Sequence, residues 1–376
     1  VNGNEIAWGT IGNASTSEGL FWETINAAGV MQVPMVISVW DDAYGISVPA
    51  KYQTTKENIS EILKGFQRDQ ENDGYEIIVV NGWNYPELME AYQKASAISR
   101  ENHTPVLIHV KELTQPQGHS TSGSHERYKS EARLKWEKEN DCNVRMRAWI
   151  IESEIATDEE LKEIEKDAKK TVREGKKAAW KAFTEGPIQD KNTVVNLISK
   201  VAETSSNKNF IQPLLEELSA IKEPQKFEVL RIARKVLIFT LKENSTAKTD
   251  LVNWVNNYTN ITQPEYSSHL YSEQDNNALS IAEVTPEYNE DAELVDGRIV
   301  IRENFDKIFS KYPEALIFGE DTGNIGDVNQ GLEGLQEKYG ELRIADAGIR
   351  EATILGQGIG MAMRGLRPIA EIQYLD

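Results

Sequence analysis

Gly12-Asn13-Ala14-Ser15-Thr16-Ser17-Glu18-Gly19, an amphipathic run, then Val39-Trp40-Asp41-Asp42-Ala43-Tyr44-Gly45-Ile46-Ser47: this stretch decides the fold. Its order is strand, small-residue turn, helix, second strand and a carboxylate pair. The turn carries no bulky side chain, so a ligand can approach the backbone. Thr16 or Ser17 is placed to cap a helix beginning near Glu18, whose free N–H groups would face an anion. Asn13 and Asp42, at the ends of two neighbouring strands, offer oxygen ligands suited to a hard cation such as Mg2+.

Working outward, residues 5–11, 33–39, 75–80 and 106–110 read as strands, the last three as buried parallel ones. Residues 86–99 read as a helix between two of them. This is a βαβ pattern, expected to build an open, doubly wound α/β domain over residues 1–150 with its ligand edge at the carboxyl ends of the strands. Residues 151–290 read as a helical connecting region and linker. Thr157 and Glu160 form a capping-box pattern, a charged amphipathic helix follows to about Phe183, and polar interruptions at 204–209, 244–248 and 259–265 divide the remainder. Residues 273–291 are acidic and lack apolar periodicity, as in a linker. From residue 291 a second α/β pattern begins, with a helix over 301–312, a strand over 315–318, a Gly-rich helix over 351–364 and a strand over 368–374. The expectation is that the 376 residues are part of a longer polypeptide, since neither end reads as a domain edge.

Composition narrows the classes. A formal charge of −19 opposes binding to nucleic acid or an anionic membrane and suits a cytoplasmic protein. Cys142 is the only cysteine, which excludes an intramolecular disulfide and a multi-cysteine metal site within one chain.

After the strand at 106–110 comes Gln115-Pro116-Gln117-Gly118-His119-Ser120-Thr121-Ser122-Gly123-Ser124-His125-Glu126-Arg127-Tyr128-Lys129. It is too polar for core and emerges at the same sheet edge as Asn13 and Asp42. Composition alone would make it a surface loop. Of the other histidines, His109 lies inside a strand and reads as structural, His103 sits in a turn, and His269 has no partner in sequence.

At these residues the chain resembles the thiamine-diphosphate-dependent 2-oxoacid dehydrogenases, specifically their decarboxylating first component. That family carries Gly-Asp-Gly and Asn-Asn where this chain has Gly12-Asn13-Ala14 and Asp41-Asp42. Carboxylate and amide have changed places, and the pair keeps one negative charge. The resemblance implies metal ligation by Asn13, Asp42 and the main-chain carbonyl of Tyr44. It also implies cofactor contacts from Gly12, Ala14, Ser15 and Ile46. His119 matches the family's second, catalytic His, Gly118 stands at the first, and Tyr128-Lys129 stands for Tyr-Arg. His125 is a candidate secondary participant.

Leu316-Ile317-Phe318-Gly319-Glu320-Asp321 and Arg343-Ile344-Ala345-Asp346-Ala347-Gly348-Ile349-Arg350-Glu351 resemble the second subunit of the same enzymes. The resemblance gives Glu351 the role of the acid on the cofactor's aminopyrimidine ring, and Glu320 that of an acid communicating with it. It implies two doubly wound domains of thiamine-diphosphate-binding type, joined by a helical region, the second incomplete. The family's α and β subunits would be fused and paired as a homodimer. The implied cofactors are thiamine diphosphate and Mg2+, and the implied partner is a lipoyl-bearing acyltransferase. Ser120-Thr121-Ser122 leans to branched-chain 2-oxoacids such as 2-oxoisovalerate, with pyruvate as runner-up. A catalytically silent scaffold is the competing class, suggested by Asn13, Ala14 and Gly118.

Overall fold

The computed structural model describes residues 3–119, 125–268, 270, 272–275 and 277–374. Ser120, Thr121, Ser122 and His269 fall outside the described residues. Two compact units emerge, one of residues 1–157 with 290–376, the other of residues 158–289.

The first unit opens with β1 (Ala7–Gly12), α1 (Gly19–Met31) and β2 (Met35–Trp40). A small hairpin of β3 (Tyr44–Gly45) and β4 (Val48–Pro49) follows, then the short α2 (Ile59–Ile62). Next come β5 (Glu76–Asn81), α3 (Tyr85–Asn102) and β6 (Val106–Lys111). The long strands pair in parallel in the order β1-β2-β6-β5.

Alternation along these strands builds two cores. Ile37, Val39 and Leu107 pack with Phe21, Ile25 and Ala28 of α1, while Val36, Val106, Ile108 and Val110 pack with Ala91 and Ala95 of α3. Helices therefore cover both faces, as the near-continuous apolar strands require. Asn84 starts α3 by accepting the Glu87 N–H, with Pro86 in the first turn where its missing donor costs nothing.

Two further helices, α4 (Glu131–Glu139) and α5 (Cys142–Glu152), lead to the second unit. There α6 (Asp158–Thr204), α7 (Lys208–Ala220), α8 (Lys226–Phe239) and α9 (Thr246–Ser267) enclose a core of Val194, Ile198, Ile211, Leu218, Ile232 and Leu251. Two sequence expectations are corrected here. The helix expected to end near Phe183 runs on through Pro187 to Thr204, and the break expected at 259–265 is absent because α9 continues through Pro264. In α6 the apolar residues from Val194 onward join the core, and packing outweighs the local cost of proline.

The chain re-enters the first unit with α10 (Gly297–Lys311), β7 (Ala315–Gly319), α11 (Leu335–Tyr339), β8 (Ile344–Asp346), α12 (Glu351–Met363) and β9 (Arg367–Ala370). The parallel order is β8-β7-β9. Ala315 and Ile317 face Phe309 of α10, and Leu316 and Phe318 face Ile354 of α12. Helix α12 meets the first sheet's layer through Thr353 Oγ1 and Glu23, 2.7 Å apart, and Arg364 pairs with Glu5. Among the described residues no helix is long and apolar enough to cross a membrane.

Candidate functional site

β1, β2 and β6 end at the same sheet edge, where ligands gather in open parallel sheets. A cavity of about 780 Å3 lies there, lined by Gly12, Asn13, Ala14, Ser15, Asp42, Tyr44, Ile46 and His119. Its size suits a small-molecule site. The loop after β6 adds Leu113, Thr114 and Gln115 to the wall. Glu320 and Glu351 are not part of this lining: Glu320 follows β7, and Glu351 opens α12 with its side chain exposed.

The turn after β1 differs from expectation. Neither Thr16 nor Ser17 caps α1. Residues Ala14–Ser17 form a 3-10 turn, and Glu18 is the N-cap. Thr16 is buried and its hydroxyl donates to the Asn13 carbonyl at 2.6 Å, while Ser17 donates to the Gln53 carbonyl at 3.3 Å. The Asn13 N–H bonds the Trp40 carbonyl at 3.0 Å, tying the ends of β1 and β2 together. Thr16 thus stiffens the residue that carries the candidate ligand.

The carboxylate pair divides its labour. Asp41 turns into the protein, accepting the Ala43 N–H at 2.7 Å and His109 Nε2–H at 2.9 Å. His109 is fully buried, and its Nδ1 lies 2.8 Å from Ser60 Oγ. The histidine read as structural is therefore the anchor of this turn. Asp42 lines the cavity and accepts the Tyr44 N–H at 3.1 Å. Burial pushes its carboxyl above the ordinary range, opposed by the Tyr44 amide and the Lys129 ammonium. Ala43 and Ile46 adopt left-handed φ of 68° and 60°, unfavourable for a β-branched residue such as Ile46.

Two glycines are dictated by close approach. A Cβ on Gly45 would lie 2.5 Å from Gln53 Oε1 and 2.6 Å from Ala14 Cβ. On Gly118, at φ 68°, it would lie 2.7 Å from Tyr128 Oη and 2.9 Å from His125 Cβ. The side chain absent at position 118 has no room in this packing.

Sequence reading missed Arg133 and Glu137, which lie on α4 beneath the Asp42 turn, and gave Lys129 no partner. Their i,i+4 spacing was visible, but that pattern occurs on many solvated helices. In the second α/β segment, after β7, Asp346 accepts the N–H groups of Gly323 and Asn324 at 2.7 and 3.1 Å. Glu371 lies 3.3 Å from Thr322 Oγ1, its carboxyl pushed up by burial and by nearby Asp327, Glu320 and Asp321.

Among the described residues no group of three or more His, Cys, Asp or Glu side chains could hold a metal. A cation at this edge would instead use one carboxylate, one amide and main-chain oxygen. That donor set, Asp42, Asn13 and Tyr44, fits a hard cation.

Comparison with known proteins agrees with both α/β segments. The family model described as "Dehydrogenase E1 component" matches residues 2–187, and "Transketolase, pyrimidine binding domain" matches residues 294–376. This chain carries both domains. It is consistent with a fused E1 α and β chain. Part of the chain is similar to the pyruvate dehydrogenase E1 component subunit beta of Acholeplasma laidlawii, 46% identical over 74 residues, 20% of this chain and 23% of that one. The 2-oxoisovalerate dehydrogenase subunit beta of Pseudomonas aeruginosa is 40% identical over 91 residues, 23% of this chain and 26% of that one. The pyruvate dehydrogenase E1 component subunit alpha of Rickettsia bellii is 26% identical over 171 residues, 46% of this chain and 50% of that one. The chain spans at most about half the length of these curated relatives.

Proposed function

We propose that the chain acts as the decarboxylating first component of a 2-oxoacid dehydrogenase, using thiamine diphosphate and Mg2+. One observation carries this reading: Asn13, Asp42 and Tyr44, matching the family's metal ligands with carboxylate and amide exchanged, line a single cavity at the sheet edge. Bound thiamine diphosphate supplies the carbon nucleophile and electron sink that decarboxylation of a 2-oxoacid needs. The protein's part is to hold and orient. Asn13, Asp42 and the Tyr44 carbonyl would hold the cation, Gly12, Ala14 and Ser15 would let the diphosphate reach the backbone, and Ile46 would supply apolar cavity wall. His119 stands at the cavity wall, where it can exchange a proton with substrate. Glu351, outside this chain's own cavity, would serve the site of a second copy in a homodimer as the acid facing the aminopyrimidine ring.

The preferred substrate under this reading is a branched-chain acid such as 2-oxoisovalerate, and the acyl group passes to a lipoyl-bearing acyltransferase. The substrate choice rests on Ser120-Thr121-Ser122, and the named relatives include both pyruvate and 2-oxoisovalerate dehydrogenases. Apolar pockets separate such acids by only ~1–3 kcal/mol per methylene.

The test is calorimetric. Thiamine diphosphate is expected to bind only with Mg2+; Asp42→Asn abolishes binding, and Asn13→Asp added to it restores binding. Unchanged affinity in Asp42→Asn refutes the exchanged-ligand reading. Decarboxylation of each acid with an artificial electron acceptor then decides substrate. Binding without turnover of either acid would favour a silent scaffold.

A further inference from the structure

Beneath the Asp42 turn lies a cluster of three charges, Glu137 and Lys129 buried and Arg133 partly buried. Glu137 is 3% exposed and holds two cations: Arg133 Nε at 2.8 Å, and Lys129 Nζ at 2.8 and 2.9 Å from its two oxygens. Lys129, with a side chain 1% exposed, places its ammonium 5.2 Å from the Tyr44 ring centre and 5.9 Å from that of Tyr128. Those rings lie 5.6 Å apart. Arg133 reaches further: Nη2 donates to the Asp42 carbonyl at 3.2 Å and the Leu113 carbonyl at 3.4 Å. One guanidinium thereby joins α4 to the turn after β2 and the loop after β6, both of which line the cavity.

Charges in such a place need a reason. Apolar side chains of similar volume often give equal or greater stability than a buried ionic cluster. What they cannot give is directed bonds from one fixed fork to two carbonyls on separate loops. The Asp42 carbonyl faces away to Arg133 while the same residue's carboxyl lines the cavity, so holding one end of Asp42 sets the other.

We propose that Glu137, Arg133 and Lys129 act as a positioning clamp: Glu137 aligns Arg133, and Arg133 fixes Asp42 against the Leu113 loop, so the cation-binding oxygens are in place before a ligand arrives. The ligand's identity rests on the functional reading above; the clamp's mechanical part does not. Groups supporting metal ligands from behind commonly change metal affinity by about 10–100-fold when removed.

The experiment uses the full chain in wild-type form and as Arg133→Met, Arg133→Lys and Glu137→Gln. Hydrogen exchange is read across residues 41–46 and 113–118, with α7–α9 as internal reference. The Mg2+ concentration that half-saturates thiamine diphosphate binding is read alongside. Arg133→Met is expected to speed exchange in both segments about tenfold, leave the helical unit unchanged, and raise the Mg2+ requirement about tenfold. Arg133→Lys, which keeps the pair with Glu137 but lacks the fork, should fall between. Glu137→Gln should reproduce Arg133→Met with a lower melting temperature; if it fails to fold, the two Arg133 variants decide. Exchange within about twofold of wild type in both segments overturns the clamp. Faster exchange with an unchanged Mg2+ requirement also overturns it, since the loops would then move without consequence for the ligand set. If wild-type protein binds no thiamine diphosphate while Arg133→Met still loosens both segments, the functional reading fails and the mechanical clamp stands.

Discussion

Replacing His109 by phenylalanine keeps a flat ring of similar size in the sheet and deletes both ring nitrogens. The loss can be worked from the contacts. Asp41 Oδ2 loses the His109 N–H at 2.9 Å, a bond to an ionised acceptor worth about 1.5–3 kcal/mol. Ser60 loses its 2.8 Å partner but keeps Asn58 Oδ1 at 2.8 Å, so that bond contributes about 0.5–1.5 kcal/mol. Together the α/β domain should lose about 2–4.5 kcal/mol in urea unfolding, a large part of the roughly 5–15 kcal/mol a domain has. The damage should not stay in the core. Asp41 also holds the Ala43 N–H at φ 68°, and Asp42 is the next residue. A released Asp41 should therefore weaken Mg2+-dependent cofactor binding as well. A double-mutant cycle with Asp41→Asn isolates the pair, and a coupling of about 1 kcal/mol or more is expected. Destabilisation below about 0.5 kcal/mol, or no coupling, would show that the histidine merely fills space.

Glu351→Gln should leave cofactor affinity nearly unchanged and abolish exchange of the bound cofactor's C2 proton, because an amide cannot supply the acid proton; wild-type exchange by NMR would remove Glu351 from the mechanism. Asp42 gives a pH prediction. Its carboxyl is raised in the fold, so the associated stability is present below the unfolded value and lost as pH rises through the folded one. Asp42→Asn should thus raise the melting temperature of cofactor-free protein at about pH 7.5 and do so less at about pH 4, and equal shifts would refute the buried-carboxylate account. Gly45→Ala should lose cofactor binding through displacement of Gln53 or Ala14, which lie 2.5–2.6 Å from the added carbon; wild-type affinity in that variant would show the turn can yield.

Periodicity carried much of the architecture. Residues 106–110 alternate between two cores in the observed β6, and the small residues at 12–15 do form the turn at the sheet edge. Asn13 and Asp42 follow β1 and β2, and the loop with His119 follows β6, so the sequence places all three at one sheet edge, where they line one cavity; Tyr44 and Ile46 come only through the family resemblance. The rest was hidden for physical reasons. Thr16 had two partners in reach, and the carbonyl of Asn13 won over the helix start. The sequence puts Asp42 at the ligand edge and leaves Asp41 without a role; the buried His109 that turns Asp41 inward lies 68 residues away. Pro187 lies just past the expected helix end near Phe183 and Pro264 inside the expected break at 259–265, yet both helices pass through them. The Arg133 contacts span 91 and 20 residues, beyond any local pattern.

The 47-residue α6 has two physical characters along one hydrogen-bond ladder. Val194, Ile198, Val201 and Ala202 are buried in a core, whereas Ile164, Val172, Trp180 and Phe183 are all more than half exposed. Its first turns lean on local pairs such as Asp158–Lys162 and Glu163–Lys166. Melting that outer portion uncovers little new apolar surface, so it should absorb heat with almost no change in heat capacity, whereas the inner portion shares the large heat-capacity step of its core. A scanning calorimeter would therefore record this single helix twice: as a gently sloping baseline, and within a sharp peak.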